Sequence, residues 1–130
     1  MHVQEMTRAH PLATGAGRSF ARVIETAMDC AQVCASCADA CLCETNVEGL
    51  RDCIELDLVC AHLCTATASV LSLRRGGDVA AGLLEACANA CRLCEEECRK
   101  HADMHEHCRI CAETCAECER ACMEAARTTH

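Results

Sequence analysis

Seventeen cysteines stand at steps of three and four along this 130-residue chain, and that spacing restricts the fold more than any other feature. Cys30, Cys34, Cys37 and Cys41 follow steps of four, three and four, and Cys87, Cys91, Cys94 and Cys98 repeat them. Cys108, Cys111, Cys115, Cys118 and Cys122 run three, four, three, four, while Cys53, Cys60 and Cys64 keep the same rows with one member missing. At about 100° per residue such steps return to within roughly 40° of one direction, so each set predicts a stripe along a helix. Stripes of this kind ordinarily carry Leu, Ile or Val and form a hydrophobic seam. Here the seam is made of thiols.

The length suits one domain with a core. Usual core material is scarce, however: Trp and Tyr are absent and Phe20 is the only aromatic residue. A core of Cys and Ala alone would pack loosely. A net charge of −8 argues against nucleic acid, whose phosphates demand basic patches. No stretch is expected to reach the apolar run needed to span a membrane, and the first residues lack the basic start and apolar middle of a secretory signal. A cytoplasmic setting is therefore expected, where thiols stay reduced. The odd cysteine count fits a disulfide framework badly.

Residues 1–17 contain Pro11, Gly15 and Gly17 and read as an arm, flexible or with a short helix. A helical bundle is expected over 18–127, with a tail at 128–130. Its first helix runs from about Ser19 to Cys43. Thr45 with Glu48 forms a capping-box pattern that starts a second helix near Asn46. That helix reaches Arg74 and Arg75 and stops at Gly76-Gly77. Asp78 caps a third helix extending to about Ala102, and Asp103 with Glu106 opens a fourth that ends near Arg127. Four helices joined by short turns give an all-α, up-down-up-down four-helix bundle with a cysteine-lined core. One end then gathers Phe20, Val23, Ile24, Val70, Leu71, Leu73, Val79, Leu83 and Leu84 as a dry plug. The other gathers Cys41, Cys43, Cys53, Asp57, Cys98, His101, Met104, His105, His107 and Cys108, the mouth of a tube.

Helices pack about 8–10 Å apart, so inward thiols from facing helices come within a few ångströms of each other. A metal–sulfur bond of roughly 2.3 Å lets one ion bridge two of them, and the array suits many ions better than one. Soft thiolates select Cu(I), Zn(II) and iron–sulfur clusters. With one bridging thiolate per ion, Cu(I) leaves a neutral core. Zn(II) in four-thiolate sites leaves surplus negative charge in a low-dielectric interior. The expected cargo is Cu(I), multiple ions per chain at about one per thiol.

The segments CAQVCASCADAC (Cys30 to Cys41), CANACRLCEEEC (Cys87 to Cys98) and CRICAETCAECERAC (Cys108 to Cys122) resemble the bacterial copper storage proteins. The resemblance covers about residues 18–127, and the missing signal peptide matches their cytosolic branch. It implies a homotetramer of four-helix bundles, each loaded with Cu(I) through one open end. A copper-delivering chaperone is a further candidate partner.

Asp57 stands where the row on the second helix would place another Cys, four residues after Cys53. It reads either as a carboxylate turned outward into a salt bridge or as a mouth ligand or proton acceptor for an entering ion. His101 continues the Cys94–Cys98 face and His107 adjoins Cys108, so both are candidate mouth ligands. Met104, four before Cys108, is a candidate ligand or a gap-filler. His105 is expected to be solvated, His62 to be a surface residue, and His2, His10 and His130 to lie in disordered ends. Cys43 lies about 160° from the stripe of Cys41 on a regular helix and is the weakest of the seventeen candidates, although the helix ends there. Glu95, Glu96 and Glu97 beside Arg99 and Lys100 read as a solvated face.

A thiol oxidoreductase built on Cys34–Cys37 or Cys115–Cys118 would need its CxxC at a helix start near a strand, and these pairs lie mid-helix. A di-iron carboxylate site would need Glu-x-x-His pairs, whereas Glu97 and His101 are four apart. Iron–sulfur motifs usually place cysteines on wrapping loops. The runner-up is a zinc or other soft-metal buffer. No catalysis is expected.

Overall fold

Cysteine and alanine at every third or fourth position leave the inner face of each helix with small side chains, and the chain assembles around them. The computed structural model describes residues 2–12, 17–73 and 77–128. The helices are α1 (His2–Ala9), α2 (Gly17–Leu42), α3 (Arg51–Leu71), α4 (Gly77–Arg99) and α5 (Glu106–Thr128), with a 3₁₀ turn at Val47–Leu50 before α3. Helices α2 to α5 pack in cyclic order, each on two neighbours, and α1 lies on α2. The result is the expected four-helix bundle, with α1 as the short helix of the arm. No strand occurs among the described residues.

The turns differ from their sequence signals. The capping box at Thr45 and Glu48 does not form: neither Asn46 nor Leu50 makes a side-chain cap bond, and α3 begins only at Arg51. The 3₁₀ turn instead tucks Leu50, fully buried, under the mouth end. Burying a Leu side chain contributes about 1.5–3 kcal/mol, more than a typical cap, so the turn follows Leu50. Helix α3 closes with the Leu73 amide donating to the Val70 carbonyl at 2.9 Å. Arg74, Arg75 and Gly76 lie outside the described residues. Gly77 opens α4 with φ of 54°, a left-handed conformation that favours glycine, and Asp78 falls in the first turn of the helix. At the last break α4 ends at Arg99 and α5 starts at Glu106, so Glu106 is a first-turn residue and not the third of a capping box. The His101 carbonyl accepts from the Met104 and His105 amides at 3.1 and 3.0 Å across this turn.

The plug forms from fewer residues than expected. Val23, Ile24, Leu71 and Leu84 are buried, Phe20 and Val70 pack partly against them, and Leu83 is half-buried. Leu73 and Val79 are 65% and 64% exposed. Leu73 lies past the end of α3, and on the first turn of α4 it is Ala80 that faces inward. Val3 of α1 packs against the core and helps cover this end.

The segment Val47–Leu71 reaches a mean hydropathy of 1.5 over its most apolar window and is long enough to cross a membrane, contrary to the sequence reading. Ile54, Leu56, Leu58, Val59, Leu63, Val70 and Leu71 supply most of that hydropathy, and Cys60 and Cys64 add to it. In the fold Cys53, Asp57, Cys60 and Cys64 of this segment are buried against the other helices, as in a core helix.

Leu84 is the largest fully buried side chain of α4 and sits in the plug away from the mouth. Leu84→Ala is expected to lower the unfolding free energy of the metal-free, reduced protein by about 2–4 kcal/mol, read by urea denaturation.

Candidate metal centre

Sixteen of the seventeen cysteines are buried and all are free thiols; only Cys43 is exposed. Steps of three and four aim them inward from α2, α3, α4 and α5, so sulfurs meet both along and across helices. Cys30 and Cys34 lie 3.8 Å apart on one helix, and Cys60 and Cys64 lie 3.9 Å apart on another. Across helices Cys53 meets Cys98 at 3.4 Å, Cys34 meets Cys115 at 3.6 Å, Cys60 meets Cys91 at 3.6 Å and Cys64 meets Cys87 at 3.7 Å. Cys111 joins Cys34 at 3.7 Å and Cys118 joins Cys64 at 3.9 Å.

These contacts build overlapping four-sulfur groups. Four of them are Cys30, Cys34, Cys60 and Cys115; Cys30, Cys60, Cys64 and Cys91; Cys34, Cys94, Cys111 and Cys115; and Cys64, Cys87, Cys91 and Cys118. Within each group the sulfurs lie within 4.8 Å of one another. Cys30, Cys34, Cys60, Cys64, Cys91 and Cys115 each belong to two groups, so neighbouring ions would share ligands. At a metal–sulfur bond of about 2.3 Å, separations of 3.4–3.9 Å subtend roughly 95–115° at an ion between them. That angle suits three- and four-coordinate sites; a linear pair would need about 4.6 Å.

Asp57 faces this lumen and is fully buried. Its Oδ1 accepts from the thiols of Cys94 at 3.1 Å, Cys111 at 3.2 Å and Cys98 at 3.6 Å, and its Oδ2 lies 3.9 Å from Cys53. The outward salt bridge is thereby excluded. Burial, reinforced by the neighbouring Cys111, pushes the Asp57 carboxyl up to about 9. Burial likewise pushes the Cys108 thiol up to about 12 and raises that of Cys41.

The mouth is organised by a carboxylate that the sequence did not single out. Nδ1 of His107 lies 3.5 Å from Cys37 Sγ and 3.6 Å from Cys108 Sγ, while its Nε2 lies 2.9 Å from Glu44 Oε2. His107 groups with Cys37, Cys41 and Cys108 as one set of metal-capable donors. His105 was expected in solvent, but its side chain is 10% exposed and its Nδ1 lies 3.1 Å from the same Glu44 oxygen. Its ring stacks on His107 at 5.4 Å between centroids, and its Nε2 is buried without a hydrogen-bond partner. Hydrogen bonding from His107 holds Glu44 below its ordinary carboxylate value. His105 precedes α5, so helical angles drawn back from Cys108 misplace it. Glu44, in the turn after α2, carries no periodic signal at all.

His101 is partly buried with Nε2 3.1 Å from Glu97 Oε2, and Glu97 and Glu95 are both half-buried, so the acidic run is solvated only at Glu96. Met104 is 70% exposed in the turn between α4 and α5, because the stripe of Cys108 does not extend outside the helix. Cys43, in the turn after α2, is likewise exposed. His62 is exposed, as expected. His2 and His10 are placed in and beside α1, not in a disordered end, and His130 lies outside the described residues.

The sequence model of the family described as Csp, copper storage protein, matches residues 16–127. A copper storage protein, Ccsp, from Streptomyces lividans, solved with 10 copper equivalents, is 47% identical with a TM-score of 0.92, covering 96% of this chain and 98% of its own. Copper loading of a cytosolic copper storage protein from the same organism, in a structure with five coppers, gives 51% identity and a TM-score of 0.83 over 85% of this chain and 93% of that one. The uncharacterised cysteine-rich protein YhjQ of Bacillus subtilis is 34% identical over 103 residues, 79% of this chain and 92% of its own length.

The raised carboxyl of Asp57 sets a pH dependence. Between its ordinary value of 3.8 and about 9 the folded chain keeps a proton that the unfolded chain releases. Its contribution to stability is therefore complete below pH 3.8 and is lost as pH rises toward 9. Asp57→Asn is expected to flatten this slope and to stabilise the reduced, metal-free protein at pH 8 by about 1–3 kcal/mol, with little effect at acid pH. Urea unfolding at pH 4 and pH 8 checks it.

Proposed function

The chain belongs to the copper storage protein family, and from that premise we infer that it holds many Cu(I) ions as thiolate-bridged cargo inside its bundle. The observation that carries this reading is ligand sharing: six lumen sulfurs each serve two four-sulfur groups. A discrete four-thiolate site, as zinc prefers, uses its ligands once and keeps two surplus negative charges. Cu(I) with one bridging thiolate per ion releases one proton for each ion taken up and leaves the lumen neutral. That balance suits a buried array, where unpaired charge is expensive.

Ions enter at the end bounded by Cys37, Cys41, His107 and Cys108, with His101 beside it. His107 is oriented by Glu44 so that Nδ1 faces the sulfurs, the carboxylate–histidine arrangement common around metals. Deeper in, Asp57 accepts hydrogen bonds from three thiols and, like them, keeps its proton until a cation arrives. The buried cysteines from Cys30 to Cys122 are the store, while Cys43 and Met104 stand outside it. The family resemblance and the cytosolic Streptomyces lividans relative support a cytoplasmic setting, and the resemblance supports a homotetramer that receives copper from a donor protein. Nothing in this role requires catalysis.

Anaerobic titration of the reduced protein with Cu(I), against a coloured Cu(I) chelator, tests the reading. Uptake of roughly one ion per buried cysteine is expected before the chelator colours, with proton release in step and a clear rise in melting temperature. Saturation at one or two ions, or displacement of bound Cu(I) by equimolar Zn(II), would overturn it.

A further inference from the structure

The arm carries soft and borderline metal donors that the lumen does not use. His2, Met6 and His10 follow one another at intervals of four, the first two one turn apart on α1 and His10 just past its last residue. All three line a cavity of about 310 Å³ between α1 and the bundle, whose opposite wall includes Ile24, Leu71 and Ser72. Ile24 and Leu71 also belong to the plug, so this cavity lies at the closed end, away from the mouth.

We propose that Met6, with His2 one turn before it and His10 one turn after it, forms an external site for a single soft monovalent ion of the Cu(I) type. Thioether sulfur and imidazole nitrogen suit such an ion. Met6 is 72% exposed, so its sulfur is available to an ion from solvent. Neighbours one turn apart have Cβ atoms about 5–6 Å from each other, within reach of one ion, whereas His2 and His10 are about 12 Å apart along the axis. The ion therefore sits on Met6 and one histidine at a time. The two histidines are alternatives.

Each imidazole has a nitrogen to give. Nδ1 of His2 lies 3.6 Å from Glu5 Oε1, beyond hydrogen-bond distance, so neither of its ring nitrogens is tied up by the protein. His10 accepts the Leu12 amide at Nδ1, 3.0 Å away, so Nε2 carries the proton. Coordination through Nε2 moves that proton to Nδ1 and frees the exposed Leu12 amide to water. The plug residues behind the cavity bar passage to the lumen, so an ion here exchanges with solvent or with a partner and does not join the store by this route.

The test uses full-length protein labelled at methionine methyls, saturated with Cu(I) in the lumen and then given further Cu(I) at controlled free concentration. The expected result is a shift of the Met6 methyl resonance that saturates near one added equivalent, while exposed Met28 and Met123 stay in place. His2→Gln or His10→Gln alone should weaken this binding no more than about threefold, and the double variant at least tenfold. A Met6 shift no larger than those of Met28 and Met123, or one that survives the double variant, would overturn the site. Loss of binding in either single variant would overturn the alternating geometry. Lumen loading is read separately from the copper-to-protein ratio, so failure of the storage reading and failure of this one are distinguishable.

Discussion

A thiol buried away from water resists losing its proton, because the thiolate would sit uncompensated in a medium of low dielectric constant. Every other property of the lumen depends on that resistance. Protonated, the buried sulfurs are neutral, weakly hydrogen-bonding and nearly hydrophobic, so the helices can close around them as they would around alanine or valine. Deprotonated, they need a cation of equal charge at bonding distance. A monovalent soft ion meets that need one sulfur at a time. A divalent ion leaves the lumen either charged or only half used, which is why charge, more than affinity of sulfur for metal, separates the two cargoes.

The same constraint explains the division of labour between the ends. Cysteine side chains supply little volume, and cohesion must come from elsewhere. Val23, Ile24, Leu71 and Leu84 supply it at one end, and Leu50 supplies it beneath the other. The plug is where apolar area is concentrated, so it anchors the bundle whether or not ions are present. At the mouth, by contrast, Glu44, His105 and His107 form a polar cluster whose donors remain partly accessible. An end that must let ions pass cannot also be the end that holds the helices together.

Much of this was legible in the sequence, for a simple physical reason. A helix repeats every 3.6 residues, and seventeen cysteines at three- and four-residue steps record that period as plainly as leucines would. The bundle, the inward set from Cys30 to Cys122 and the awkward position of Cys43 all follow from the angle alone. What escaped lies where the angle does not apply. Glu44, Met104 and His105 sit in turns, where the backbone path is set by tertiary packing, and the Thr45–Glu48 cap gave way to the burial of Leu50. Asp57 was half legible: its position on the row was clear, but only its three thiol contacts show that it points inward. The donors of α1 were overlooked because Pro11 and the glycines after it suggested an unstructured arm.

Asp57 breaks an otherwise uniform sulfur surface, and its placement argues for a purpose in the sequence of filling. It touches thiols of α3, α4 and α5 at once, between the mouth group and the deeper four-sulfur groups. A carboxyl pushed up to about 9 is neutral in the empty lumen at neutral pH, and like the thiols it loses its proton only when a cation arrives. It differs from them in hardness: an oxygen ligand holds a soft ion weakly. An ion reaching this layer therefore finds one poor ligand among good ones, and the all-sulfur groups beyond it, towards Cys64 and Cys87, hold it more strongly. If ions enter by this end as proposed above, such a layer favours passage inward over retention near the opening, and the deep groups fill while the mouth stays free to accept the next ion.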